Sequence, residues 1–150
     1  MNLRRSALKM AFCAALPLTL WAQLDSRFEG RWEMNVSKST FSPYPVKTQT
    51  VTIRDGQTVI EGAMADGTSF KRSFRPVEGK PVAIEGVKNS TVICKSLGNT
   101  IDDHWNMYGR AAVLHGHGVL SEDGKTLKYT LTGTNTQGQP VHDVYVFEKQ

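Results

Sequence analysis

The chain has 150 residues, 39% of them hydrophobic and 21% charged. That balance fits one globular domain and excludes a disordered chain or a coiled coil. The formal charge of +4 is uneven: Arg4, Arg5 and Lys9 lie in residues 1–22, which hold no acid, and the other 128 residues carry 15 basic and 14 acidic groups, a net +1. The basic character therefore belongs to the leader, and nucleic acid is not an expected partner. No stretch reaches the roughly 18 apolar residues of a membrane span.

Residues 1–22 read as an export signal peptide. A charged segment precedes an apolar run from Met10 to Trp21, broken at Pro17, and Leu20-Trp21-Ala22 offers a cleavage site before Gln23. Arg4-Arg5-Ser6-Ala7-Leu8-Lys9 also resembles a twin-arginine signal, without the usual Ser or Thr before the pair and with Ala7 in place of a bulky residue. The expectation is an exported protein, periplasmic or secreted, whose mature domain spans 23–150. Met10-Ala11-Phe12 before Cys13 is a poor lipidation signal, so no lipid anchor is expected. Cys94 is then the only mature cysteine, which excludes an internal disulfide; its strand-like surroundings make it a small core residue.

Along the mature chain, polar and apolar residues alternate in Gln49–Ile53, in part of Phe70–Phe74 and in Leu127–Leu131. Turn signals separate the runs: Asp55-Gly56, Asp66-Gly67, Glu78-Gly79, Tyr108-Gly109, Asp123-Gly124 and Gln137-Gly138-Gln139-Pro140. Candidate strands fall near 30–35, 48–54, 57–63, 68–75, 82–85, 90–96, 100–107, 112–120, 125–133 and 141–149. The 82–85 run is the weakest, and the count comes to eight or nine strands. Residues 35–46, with Pro43 and Pro45, read as a loop or a single helical turn. Consecutive hairpins predict an all-β, antiparallel up-and-down barrel, closure removing the exposed edges. An open sandwich is the structural alternative.

Gly30-Arg31-Trp32 on the first strand resembles the Gly-x-Trp mark of lipocalin-like barrels, eight-stranded cups that hold small apolar ligands. A longer pattern is similar to a group of small secreted bacterial proteins of unassigned function. It comprises Phe28–Asn35, Lys38-Ser39-x-Phe41-Ser42-Pro43, Gln49–Ile53, Asp123–Leu127, Thr132–Val141 and the closing Glu148-Lys149-Gln150. The resemblance implies a lipocalin-like fold and export. Two features depart from it. Lipocalins stack a late-strand Arg on the Gly-x-Trp ring, and here only Lys149 is available. The stretch from Asp102 to Gly118 is also unusually rich in His and Trp. Trp32 is expected to close one end of the barrel.

Three of the four histidines fall in one hairpin turning at Tyr108-Gly109 or Gly109-Arg110. In either register Asp102, His104 and Asn106 share a face with Val113, His115 and His117. In the second, His104 opposes His115 and Asp102 opposes His117. A His-x-His pair plus a histidine on the neighbouring strand is a known zinc geometry, so His104, His115 and His117, with Asp102 as fourth ligand or orienting group, form a candidate zinc or haem site. The other face carries Ile101, Trp105, Met107, Ala112, Leu114 and Leu120 and looks like core, which points the histidines outward. His142, flanked at i+2 and i+4 by Val144 and Val146, is placed equally well inside or outside.

Phe70-Lys71-Arg72-Ser73-Phe74-Arg75 interleaves rings and cations, but export and a near-neutral mature charge speak against base stacking. With Phe70 and Phe74 inward, Arg72 is inward too. It then meets either a ligand carboxylate or Asp103. Gly116 and Gly118 leave room beside Trp105 or let the barrel bend. No nucleophile elbow, phosphate loop or helical His-Glu-x-x-His is present, and no catalytic residue is assigned. The leading expectation is a monomeric barrel binding a small apolar or amphipathic molecule. Phe70, Phe74, Trp105, Leu114, Tyr129 and Leu131 line the pocket and Arg72 anchors the ligand. The alternatives are a metal or haem protein, an interaction module with a filled core, and a barrel enzyme with unidentified catalytic groups.

Overall fold

A computed structural model describes residues 24–150; the expected leader and its cleavage point lie outside the described residues. The strands are β1 (Gly30–Met34), β2 (Val46–Arg54), β3 (Gln57–Met64), β4 (Ser69–Phe74), β5 (Pro81–Ala83), β6 (Thr91–Leu97), β7 (Thr100–Met107), β8 (Ala112–Leu120), β9 (Thr126–Thr134) and β10 (Pro140–Lys149). They form one antiparallel sheet of ten strands, ordered β4-β3-β2-β1-β10-β9-β8-β7-β6-β5. The expected eight or nine strands are thus corrected to ten. The doubtful run near 82–85 does pair, through Pro81, Val82 and Ala83 on β6. Among the described residues no helix is long and apolar enough to cross a membrane.

Every neighbour in the sheet is also a neighbour in sequence except β1 and β10, which bring the two ends of the domain together through Trp32–Lys149 and Met34–Phe147. The remaining edges, β4 and β5, share no ladder. They approach at a single bridge between Ser73 and Glu85, with backbone bonds of 3.1 and 2.8 Å. The Ser73 hydroxyl donates to the Glu85 carboxylate at 3.0 Å. The barrel is therefore nearly closed, its seam falling in the middle of the sequence.

Alternation decides what faces inward. On β7, Ile101, Asp103, Trp105 and Met107 are buried while Asp102 is exposed; on β10, Asp143, Tyr145 and Phe147 are buried. This settles His142 as an exposed residue. The valines that seemed to leave it open occupy the outer face with it, because Tyr145 pairs inward with Tyr129 and Phe147 with Leu127. Two apolar clusters fill the ends of the barrel. One gathers Phe28, Trp32, Ile53, Leu120, Tyr145 and Phe147; the other gathers Ile60, Phe74, Val92, Trp105 and Met107.

The first cluster explains the Gly-x-Trp mark. A 3-10 turn over Ser26–Phe28, its N-cap Asp25 accepting from the Arg27 amide, folds across the barrel end. Phe28 and Trp32 are fully buried, and Trp32 Nε1 donates to the Phe28 carbonyl at 2.8 Å. The Lys149 ammonium lies 5.1 Å from the centre of the Trp32 ring system and donates to the Arg27 carbonyl at 3.2 Å. Lysine thus takes the stacking position that arginine holds in lipocalins. A Cβ at Gly30 would lie 2.7 Å from Lys149 Cε, and Gly30 has φ of +131°. Glycine is needed there for both the close approach and the backbone conformation.

Candidate ligand-binding site

Between the two apolar clusters the barrel keeps a cavity of ≈ 90 Å³. Arg72, Phe74, Trp105, Leu114, Tyr129 and Leu131, all expected from sequence, line it. Phe70 does not and is a correction. It lines a separate surface groove with Glu61, Gly62 and Lys71, and the Arg72 guanidinium carbon sits 5.5 Å from its ring centroid. The interior is not filled, as an interaction module with a solid core would require.

Arg72 is in none of the ion pairs among the described residues. Its guanidinium carbon lies 5.5 Å from the Trp105 ring centroid, and its Nε has no hydrogen-bond partner. Burial pulls its pKa below the ordinary arginine value, partly offset by Tyr145, Tyr129 and Tyr108. Of the two partners open to Arg72 from sequence, Asp103 is not used.

Asp103 instead heads a chain of polar contacts with Tyr129 and Trp105. Trp105 Nε1 donates to the Tyr129 hydroxyl at 3.0 Å, and that hydroxyl donates to Asp103 Oδ2 at 3.0 Å. Asp103 Oδ1 is buried without a partner. Burial raises the Asp103 carboxyl to about 6, opposed by the Cys94 thiol across the ladder and by the Tyr129 hydroxyl, and aided by Asp102. Tyr129 is pushed well above its usual range, first by burial and then by Asp103. Cys94 is buried and its thiol is held far up by burial, which agrees with an inert core residue.

Gly116 and Gly118 make room for a ring rather than for a ligand. A Cβ at Gly116 would fall 1.7 Å from the Tyr129 hydroxyl oxygen, and one at Gly118 would meet Ile101 and Tyr129. Tyr129 lies across both glycines, which sets where its hydroxyl reaches. Thr58, Cys94 and Tyr145 also line the cavity and were missed. Thr58 opposes Phe74 on the β3–β4 ladder, so alternation could have found it; Tyr145 was not reached because the sequence left the inner face of β10 open.

The hairpin adopts the second register, His104 opposite His115 and Asp102 opposite His117, turning at Gly109-Arg110. The four side chains are on the outer face as expected but separate into two pairs. His104 Nδ1 and His115 Nδ1 are 3.1 Å apart, and His117 Nδ1 is 2.7 Å from Asp102. Among the described residues no group of three or more His, Cys, Asp or Glu is placed to hold a metal. The expected convergent zinc set is therefore corrected: the sheet spacing leaves two cross-strand dyads instead of one triad.

No protein-family model and no curated protein sequence matches the chain. Solved structures match in fold. Fatty-acid-binding protein 1 of Echinococcus granulosus is 12% identical with a TM-score of 0.53, covering 83% of this chain and 98% of its own. The fluorescent protein UnaG is 15% identical with a TM-score of 0.53 over 83% and 98%. Secretory abundant heat soluble protein 4 of Ramazzottius varieornatus is 11% identical with a TM-score of 0.52 over 85% and 97%. At these identities the likeness establishes the architecture alone, a ten-stranded barrel of the fatty-acid-binding-protein type.

Proposed function

We propose that this chain is an exported, monomeric carrier that binds a small, partly apolar acid inside its barrel. Arg72 pairs with the acid group, and Phe74, Trp105, Leu114 and Leu131 cover the apolar part. The observation that carries this reading is a guanidinium facing an internal cavity with no carboxylate to meet it. A buried charge without a partner is costly, and a bidentate carboxylate is the partner arginine suits best. The name of the Echinococcus neighbour, a fatty-acid-binding protein, agrees with that use of the fold. Export rests on the charged, apolar leader of residues 1–22, and the resemblance to small secreted bacterial proteins agrees with it.

The test is native mass spectrometry of the protein produced from its full gene and recovered by cell fraction. A chain found outside the cytoplasm, shortened by its leader and carrying an acidic adduct that leaves on denaturation, is the expected result. A full-length chain retained in the cytoplasm refutes export. Failure of every added carboxylic acid to change Trp105 fluorescence at millimolar concentration refutes acid binding.

A further inference from the structure

Four buried polar side-chain atoms among the described residues lack a hydrogen-bond partner: Thr58 Oγ1, Arg72 Nε, Asp103 Oδ1 and Asn106 Oδ1. The first three line the same cavity. Orphaned groups of this kind are costly and uncommon, and a cluster of them around one space marks what its occupant must supply.

Their chemistry is not uniform. Arg72 only donates, an ionised Asp103 only accepts, and Thr58 does either. Thr58 belongs with Arg72: Thr58–Phe74 and Ile60–Arg72 are successive inward pairs on the β3–β4 ladder. Asp103 stands on β7, one inward position from Trp105, against whose ring the guanidinium lies. The cavity thus has a donor-rich pole at Arg72 and Thr58 and an acceptor pole at Asp103. Ile60, Phe74, Met107, Leu114 and Leu131 form apolar wall around them. A plain carboxylic acid satisfies the first pole and leaves Asp103 Oδ1 dry. An occupant that also brings a hydroxyl satisfies both.

Size narrows the class further. An apolar cavity of about 150 Å³ takes up benzene, and this one is ≈ 90 Å³. A long alkyl chain does not fit inside it. The Tyr129 hydroxyl alone bridges Trp105 Nε1 and Asp103 Oδ2, at 3.0 Å each, so the ring beside the guanidinium and the Asp103 carboxylate are close neighbours. An acid of four or five carbons with its hydroxyl a few bonds from the carboxylate, as in 3-hydroxybutyrate, reaches both poles within that volume.

Resting on the acid-binding reading above, we propose that the barrel selects compact hydroxy acids, the carboxylate held at Arg72 and Thr58 and the hydroxyl donating to Asp103 Oδ1. The test compares matched pairs by titration calorimetry at pH 8: 3-hydroxybutyrate against butyrate, 4-hydroxypentanoate against pentanoate, and dodecanoate as a long-chain reference. One member of the hydroxy pairs is expected to bind at least about tenfold more tightly than its parent acid, the size of effect a hydrogen bond to a charged group gives. In Asp103→Asn, Tyr129 keeps its acceptor and the amide NH₂ turns to the cavity. The preference is then expected to fall to within about twofold while butyrate still binds. Far-ultraviolet circular dichroism confirms that the variant is folded; should it unfold, Tyr129→Phe, which leaves both Asp103 oxygens in place, must retain the preference.

Equal binding of both members of each pair, with both lost in Arg72→Met, overturns the hydroxyl assignment and leaves acid binding intact. Binding of dodecanoate alone overturns the compact class. Binding of none of the five overturns the acid-binding reading itself.

Discussion

Replacing Asp103 by Asn tests the electrostatics of the cavity without any ligand. The carboxyl is raised from 3.8 to about 6, chiefly by burial, so the native state holds a proton that the unfolded chain has released between these values. Protons bound preferentially by the folded state make stability fall as pH rises. The cost is absent below about pH 4, grows up to about pH 6 and stays constant above it. At about 1.4 kcal/mol for each tenfold change in a protonation constant, the full cost is about 3 kcal/mol. Asn carries no such penalty, although its amide leaves a donor without a partner at every pH. Urea unfolding of both proteins from pH 4 to pH 8 separates the two effects, since the constant offset cancels in the slope. The stability difference is expected to move by about 2–3 kcal/mol in favour of the variant across this range. The acids held low by exposed partners, such as Asp25 and Glu148, are common to both proteins and drop out. A difference that stays flat with pH, or moves toward the wild type, refutes the reasoning. It would mean that Asp103 is hydrated or already paired.

Further outcomes follow from other parts of the barrel. Arg72→Met is expected to lower affinity for a bound acid roughly 10–100-fold while leaving the midpoint of thermal unfolding unchanged or higher, because an unpaired interior charge is removed; unaltered affinity excludes Arg72 as the anchor. Gly116→Ala pushes a methyl group into the Tyr129 hydroxyl and is expected to cost about 1–3 kcal/mol, with altered Trp105 fluorescence as Tyr129 Oη moves off Nε1; a silent substitution contradicts the packing. Trp32→Ala is expected to cost about 3–5 kcal/mol in urea unfolding, whereas Lys149→Met costs about 1 kcal/mol or less, and the reverse order is incompatible with Lys149 acting only as a cover over the ring.

Much of this was legible in the residues because alternation and turn chemistry agree over most of the domain. The Asp102–Asn106 and Val113–His117 faces, the His104–His115 pairing and the inward position of Arg72 follow from counting in twos around a short turn. What escaped has a common cause. The strand at Pro81–Ala83 is too short to alternate, so its pairing depends on the neighbour β6. On β10 the apolar residues Val144 and Val146 compete with Tyr145 and Phe147 for the interior, and only the ladder to β9 decides between them. The three histidines share a face, yet their imidazoles satisfy one another and Asp102 pairwise, which side-chain spacing alone does not reveal. Phe70 alternates correctly with Phe74 and packs against both apolar clusters, but its ring borders a separate groove and not the cavity. Whether Arg72 would meet Asp103 depends on side-chain reach between β4 and β7, which no local pattern encodes.

The ladder between β1 and β10 has a consequence for how the chain is made. All the other ladders join strands that follow one another in sequence, so each hairpin has its partner as soon as it is synthesised. The first strand waits for the last: Trp32 pairs with Lys149, and the Gln150 amide bonds the Arg31 carbonyl at 2.9 Å. The lid of Phe28 and Trp32 is complete only when Lys149 arrives to cover it. A nascent or C-terminally clipped chain therefore holds an unrolled meander with its aromatic end uncapped. Conversely, a circular permutant that fuses the ends and opens between Arg75 and Lys80 would turn the longest-range ladder into a local hairpin and give up the Val77–Lys80 bridge at the cut, leaving the Ser73–Glu85 bridge to form between the new ends. By the dependence of rate on contact order, such a permutant is expected to fold faster than the natural order of strands.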